Sequence, residues 1–222
     1  MNAYVIAAWL GVRRCPDARA LNDPGFYLRQ HLKAARSVLD ASAKIITVLS
    51  GSVPDGTRLE GLGEDIPLLI KPNAGMSYGA WSYFYDIMGH DEFDYIAFVE
   101  DDYIPTCNPF AELVPIMQRE KIDYICGQAG YWSDNWHAAI SNGVVSNSAC
   151  KAAAAKTGHL PFGPSDQGYT VDNQVEWSQG FVKAGQTIKG YTPWYQAPYW
   201  DGRVTVFGST EHAAIWVPIQ MT

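Results

Sequence analysis

Short, wholly apolar runs alternate with amphipathic stretches through the first half of this chain, and that alternation limits the fold more than any other feature. Residues 4–9, Tyr-Val-Ile-Ala-Ala-Trp, read as a buried strand. Residues 24–41 read as a helix, with Leu28, Leu32, Ala35 and Leu39 on one stripe and Pro24 suited to its first turn. Strands are expected over 44–49 and 68–70, a helix over 77–88, a strand over 95–99, a helix over 110–119 and a strand over 124–126. Such alternation implies an α/β chain with a mostly parallel central sheet flanked by helices. Ligands of these sheets bind at the carboxyl ends of the strands, here just after Trp9, Leu49, Ile70 and Val99.

The second half is less regular. Residues 132–145 are rich in aromatics, Ser, Asn and Gly. A helix is expected from about Asn147, a long loop over 158–169, a helix over 171–184 ending at a Gly185 C-cap, and a strand over 187–191. Residues 191–200 form an aromatic, proline-interrupted stretch. A length of 222 residues suits one domain with a substantial core, and 47% hydrophobic residues exclude a disordered chain.

Charge and cysteine usage narrow the function. A net charge of -7 speaks against a nucleic-acid partner, though a bound divalent cation can still neutralise a phosphate ligand locally. Cys15, Cys107, Cys126 and Cys150 form no Cys-x-x-Cys pair, so reduced thiols are expected rather than a disulfide framework or a zinc site. No run approaches the roughly 20 apolar residues of a membrane span. The apolar stretch 4–10 precedes Arg13 and Arg14, the reverse of a signal peptide. A cytoplasmic location without a transmembrane segment is the resulting expectation.

The most informative segment is Ile96-Ala97-Phe98-Val99-Glu100-Asp101-Asp102. An apolar strand runs directly into three carboxylates, which repel one another and gain nothing from packing. A hard cation, Mn²⁺ or Mg²⁺, would hold such groups together at a strand end. Read blandly, the triplet is a solvated acidic turn, but the end of a central parallel strand is where function sits.

This segment resembles the Asp-x-Asp motif of glycosyltransferases of the GT-A (Rossmann-like) fold, with Glu100 in place of the first Asp. The resemblance implies that Glu100 contacts the ribose and that Asp102 coordinates the metal bridging the two phosphates. Asp101 would assist at the nucleotide or orient the loop. Residues 71–81, Lys-Pro-Asn-Ala-Gly-Met-Ser-Tyr-Gly-Ala-Trp, are similar to the Asn-x-Gly segment preceding that motif in such enzymes. Asn73, Gly75 and Ser77 are thereby expected at the nucleotide, where Gly75 and Gly79 permit close backbone approach and Ser77 can cap the following helix.

Residues 166–177 precede a Lys183-Ala184-Gly185 helix end and resemble the acidic segment that supplies the general base of inverting members. Asp172 or Glu176 is the implied base; Asp172 would serve equally as an N-cap, and Glu176 could be merely solvated. A late His212 resembles the histidine that relatives return to the metal, and Arg13, with Arg14 and Arg19, follows the first strand where a nucleotide phosphate would lie. The aromatics Tyr131, Trp132, Trp136, Trp177, Trp194, Tyr195, Tyr199 and Trp200 offer faces for an acceptor glycan, or pack the core.

Taken in order, these segments resemble small stand-alone rhamnosyl- or glucosyltransferase domains of bacterial and large-virus type. The resemblance implies a single domain over 1–222, with a nucleotide-binding half over 1–105 and an acceptor-binding half over 106–222. It implies metal-dependent transfer from a nucleoside diphosphate sugar, UDP-linked, to a glycan or other hydroxyl acceptor with inversion. Two rivals remain: a sugar nucleotidyltransferase, for which 10–14 supplies only a poor glycine-rich loop, and a non-catalytic carbohydrate-binding protein.

Overall fold

A computed structural model describes residues 1–10, 23–51, 66–89, 92–132, 135–162, 170–193, 204–206 and 215–219. For 128–141, 170–172, 191–193, 204–206 and 217–218 the description extends to the backbone only. The elements are β1 (Asn2–Ala8), α1 (Phe26–Val38), β2 (Ala43–Ser50), β3 (Leu68–Lys71), α2 (Met76–Phe84), β4 (Tyr95–Glu100) and β5 (Tyr103–Pro105). They continue with α3 (Pro109–Glu120), β6 (Tyr124–Trp132), β7 (Asn135–Ser146), α4 (Asn147–Ala154), α5 (Thr170–Lys183), β8 (Ile188–Pro193), β9 (Val204–Val206) and β10 (Trp216–Pro218).

The main sheet has the order β3-β2-β1-β4-β7-β6-β8-β9, and β5 pairs with β10 in a separate ribbon. Among the described strands of the main sheet, β7 alone is antiparallel to its neighbours, β4 and β6. The expected architecture is therefore the observed one: a mostly parallel, Rossmann-like sheet of the GT-A kind, flanked by helices in a single domain.

β1 explains why the sheet is two-sided. Tyr4, Ile6 and Ala8 enter one core with Leu28 and Leu32 of α1 and Phe110 and Leu113 of α3. Ala3, Val5 and Ala7 enter the other with Trp81 of α2 and Trp177 and Phe181 of α5. A strand buried on both faces reads as a continuous apolar run, as this one does. β1 also marks the topological switch: the chain leaves it for β2 and β3 on one side and returns to β4 on the other.

Several expectations need correction. The described part of 132–145 is not irregular: it is most of β7, which pairs antiparallel with β6 in a hairpin carrying a register shift between Cys126 and Gln128. Its glycines and Ser-Asn pair hid the two-residue period, and a Cβ on Gly143 would meet the Ile125 carbonyl at 2.7 Å. The first helix begins at Phe26 behind Gly25, so Pro24 precedes it. The helix expected over 77–88 is α-helical only to Phe84 and closes as a π-helical turn, Tyr85–Gly89. α5 begins at Thr170, which makes Asp172 its third residue and not its cap. Gly185 does end it, at φ 86°, with the amides of Gly185 and Gln186 donating to Val182 and Phe181 carbonyls. No helix among the described residues is long and apolar enough to cross a membrane.

Candidate active site

β1 and β4 run parallel in a register that sets Ala7 beside Glu100, so both strands end together at the switch point. The three acids lie at this edge and turn in different directions. Asp101 is 4% exposed: its amide donates to the Ala7 carbonyl (3.1 Å) and its Oδ2 accepts the Trp9 amide (3.4 Å). Asp101 thus ties the acidic turn to the end of β1 and has little surface left for a ligand.

Glu100 and Asp102 remain half-buried. The Glu100 carboxylate accepts the Ser77 hydroxyl at 2.7 Å, and its amide donates to Asn142 Oδ1 on β7 at 3.3 Å. The Asp102 carbonyl accepts the Ile219 amide at 2.8 Å, which brings the segment after β10 alongside the turn. Burial raises the Tyr103 pKa, and the negative charges of Asp102 and Glu100 raise it further. Both carboxylates therefore face one neighbourhood. Burial chiefly, and Glu100 next, likewise raise the pKa of Tyr78 on α2.

Residues 71–77 deliver Ser77 to Glu100 through a strained turn. Gly75 has φ 72° and Met76 φ 52°. Left-handed backbone at a non-glycine residue such as Met76 costs about 1–2 kcal/mol. Ser77 does not cap α2 as expected; Gly75 occupies the cap position without a side-chain bond, and the Ser77 hydroxyl is spent on Glu100. Both glycines are crowded from within the chain: a Cβ on Gly75 would lie 2.4 Å from the Phe162 ring, and one on Gly79 2.0 Å from the Ala74 carbonyl. Lys71, 7% exposed, fastens the turn by donating to the Pro72 carbonyl (2.5 Å) and the Ala74 carbonyl (2.7 Å), and burial lowers its pKa. Asn73 is exposed beside Gly51 and the Trp9 indole, at the ends of β1, β2 and β3.

No family model matches the sequence, and no curated protein matches it. Solved structures do match the fold. A protein from Desulfovibrio desulfuricans G20, described as a nucleotide-diphospho-sugar transferase, aligns over 92% of this chain and 80% of its own, at 10% identity and TM-score 0.51. TarS of S. aureus aligns over 93% of this chain and 36% of its own, at 8% identity and TM-score 0.53. TarS 1–349 in complex with UDP-GlcNAc aligns over 96% of this chain and 60% of its own, at 9% identity and TM-score 0.54. This chain shares their fold. It spans little over a third of the first TarS structure and three fifths of the second.

The fold thus brings Glu100, Asp101, Asp102, Asn73, Gly75 and Ser77 to one sheet edge. Glu176 lies on the exposed side of α5, whose buried side carries Asn173, Gln174, Trp177, Ser178 and Phe181. No described contact joins Glu176 to the acidic turn. Arg13, Arg14, Arg19 and His212 lie outside the described residues, as does the side chain of Asp172. Trp177 is fully buried, donating its Nε1–H to the Tyr124 hydroxyl (3.2 Å), so it belongs to the core and not to an acceptor surface. The side chains of the other seven aromatics named above lie outside the described residues.

Sequence reasoning did not single out Asn142, Lys71 or the indole of Trp9. Asn142, within the polar run Ser141-Asn142-Gly143, carried no signal of its own. The lysine directly before Pro72 was a signal for the second, and an aromatic ending a buried strand for the third.

The described residues include no cluster of three or more His, Cys, Asp or Glu side chains able to hold a metal. Two half-buried carboxylates, Glu100 and Asp102, do fit a hard divalent cation of the kind that takes one or two protein carboxylates and completes its shell with substrate phosphates and water.

Proposed function

We propose that this chain is a glycosyltransferase that moves a sugar from a nucleoside diphosphate sugar, UDP-linked, to a hydroxyl acceptor. The observation that carries the reading is the pair Glu100 and Asp102 at the carboxyl ends of β1 and β4, at the switch point of a sheet shared with nucleotide-sugar enzymes. The UDP-GlcNAc complex of TarS supports the choice of donor class.

In this reading residues 1–105 hold the nucleotide. The Trp9 ring, 39% exposed beside Gly51 and Asn73, is placed to receive a planar base. Ser77 and Asn142 fix Glu100, and Asp101 fixes the turn, so that Glu100 meets the ribose and Asp102 the metal. Mn²⁺ or Mg²⁺ held there, with His212 as a further ligand, would neutralise charge on the departing diphosphate. Arg13 is assigned to the phosphates. Asp172 or Glu176 takes the proton of the acceptor hydroxyl, whose oxygen bonds to the anomeric carbon as the bond to the diphosphate breaks, with inversion. Residues 106–222 hold the acceptor, a glycan, and a rhamnosyl or glucosyl donor is the finer proposal.

Isothermal titration of UDP with and without Mn²⁺, on the native chain and Asp102→Ala, tests this. Expected is Mn²⁺-dependent binding that the variant loses. Absence of binding to UDP, GDP and dTDP alike would remove the reading in favour of a sugar-binding protein. Turnover of a nucleoside triphosphate with a sugar phosphate, releasing pyrophosphate, would favour the nucleotidyltransferase.

A further inference from the structure

Two neighbouring residues of one connector sit against glycines on two different elements. The connector, 158–162, leads away from the end of α4. Its Phe162 ring lies against Gly75, in the turn before α2, and its Pro161 ring lies against Gly180, inside α5. A Cβ on either glycine would overlap the facing ring. The Leu160 carbonyl, one residue earlier, accepts the Ser82 hydroxyl of α2 at 3.1 Å in the core. Leu160, Pro161 and Phe162 thus each meet a fixed partner, on α2, on α5 and in the Gly75 turn.

Both glycine contacts sit where the backbone alone would prefer something else. Glycine inside a helix is unfavourable relative to alanine because it gives up more freedom, yet α5 carries one at the place that faces Pro161. In the turn, Gly75 and Met76 are consecutive residues at positive φ, 72° and 52°. Backbone of that kind persists only where its surroundings over-determine it. Lys71 ties the earlier part of the turn, through the Pro72 and Ala74 carbonyls. Phe162 supplies the two atoms nearest to the Cβ position of Gly75 itself. Ser77 follows Met76 directly, and its hydroxyl bonds to Glu100 at 2.7 Å. The Phe162 contact is therefore separated by one residue from the group that orients Glu100.

We propose that Pro161 and Phe162 form a clasp that fixes the turn before α2 against α5, and that Phe162 is a positioning residue acting on Glu100 through Ser77. The clasp ties the element that carries Asp172 and Glu176 to the turn that serves the nucleotide. Partners that orient a ligand-bearing group from behind matter to binding nearly as much as the ligands themselves. The consequence for nucleotide binding rests on the proposed role of Glu100; the hold of the clasp on the turn does not.

One set of measurements on the full chain needs no ligand. Amide exchange of Gly79, whose N–H bonds to the Gly75 carbonyl at 2.8 Å, reads the turn. Phe162→Ala should speed it about tenfold, as local opening becomes easier. Phe162→Leu keeps an apolar group over Gly75 and should restore most of the protection. Gly180→Ala pushes on Pro161 and should also speed exchange at Gly79. An unchanged rate in Phe162→Ala would leave the turn to Lys71 and overturn the proposal; an unchanged rate in Gly180→Ala would overturn the link to α5. In urea unfolding, Gly75→Ala should lower the midpoint less in a Phe162→Ala background than in the native chain, because the overlap is gone. Equal shifts in the two backgrounds would overturn the contact.

The second set titrates UDP in the presence of Mn²⁺. Ser77→Ala and Phe162→Ala should each weaken binding about tenfold. The double variant should bind no worse than Ser77→Ala alone, since Phe162 acts through that hydroxyl. Additive losses are what a merely structural role would give, and they would overturn the positioning role. A native chain that binds no nucleotide would remove the glycosyltransferase reading, while the ligand-free measurements still decide the clasp.

Discussion

At the scale of single residues, three adjacent acids fall into two arrangements. Asp101 points inward and closes two hydrogen bonds to β1 and to the residue after Ala8, whereas Glu100 and Asp102 keep open surface. Asp101→Ala should therefore lower stability by about 1–3 kcal/mol, since the turn loses its side-chain bond to the Trp9 amide. Asp102→Ala should cost less stability but abolish Mn²⁺-dependent nucleotide binding. Urea unfolding and titration of both variants check the contrast, and equal loss of binding with equal stability would refute it. The acids were legible because nothing but function or solvent explains carboxylates at the end of an apolar strand. Which of them faces inward was not legible, because that depends on the register of β4 against β1. Ser77 shows the same limit: a serine at a helix start reads as a cap, and only the approach of β4 reveals Glu100 as its partner.

Among elements, the turn before α2 is under the most constraint. Gly75 combines φ 72° with a ring packed where a Cβ would be, while Gly158 has φ 83° with nothing within 4 Å of that position. Gly158→Ala should cost only the backbone penalty, about 1–2 kcal/mol. Gly75→Ala adds a clash with Phe162, and overpacking of that kind adds about 1–3 kcal/mol. It should also weaken nucleotide binding, because it moves Ser77 away from Glu100. Chemical denaturation of the two variants separates the terms, and matching midpoints would show that Phe162 yields freely. The parallel strands and their helices could be read from the sequence because each carries its own period. The β6–β7 hairpin could not, since Gly143 and its polar neighbours are stabilised by cross-strand pairing. β5, β9 and β10, three residues each, are too short to carry any period.

For the whole molecule, the sheet order places the acids at the switch point and, by the same geometry, leaves a titratable group in the core beneath them. His31 has an unfolded-state pKa near 6.5 and a folded-state value of about 4. Between these values the unfolded chain binds the extra proton, so stability rises with pH through this window. The contribution is fully present above about pH 6.5 and is lost as pH falls toward 4. A gap of this size corresponds to about 3 kcal/mol across the window, near 1.4 kcal/mol per pH unit within it. His31→Asn removes the titrating group while leaving the carboxylates, which dominate acid unfolding at lower pH, as they are. The stability difference between native chain and variant should therefore shrink by about 3 kcal/mol from pH 7.5 to pH 4.5 in urea unfolding. A difference that stays constant over that range would mean that His31 is free to take up its proton in the folded state, and that the core under the acidic turn is open to water.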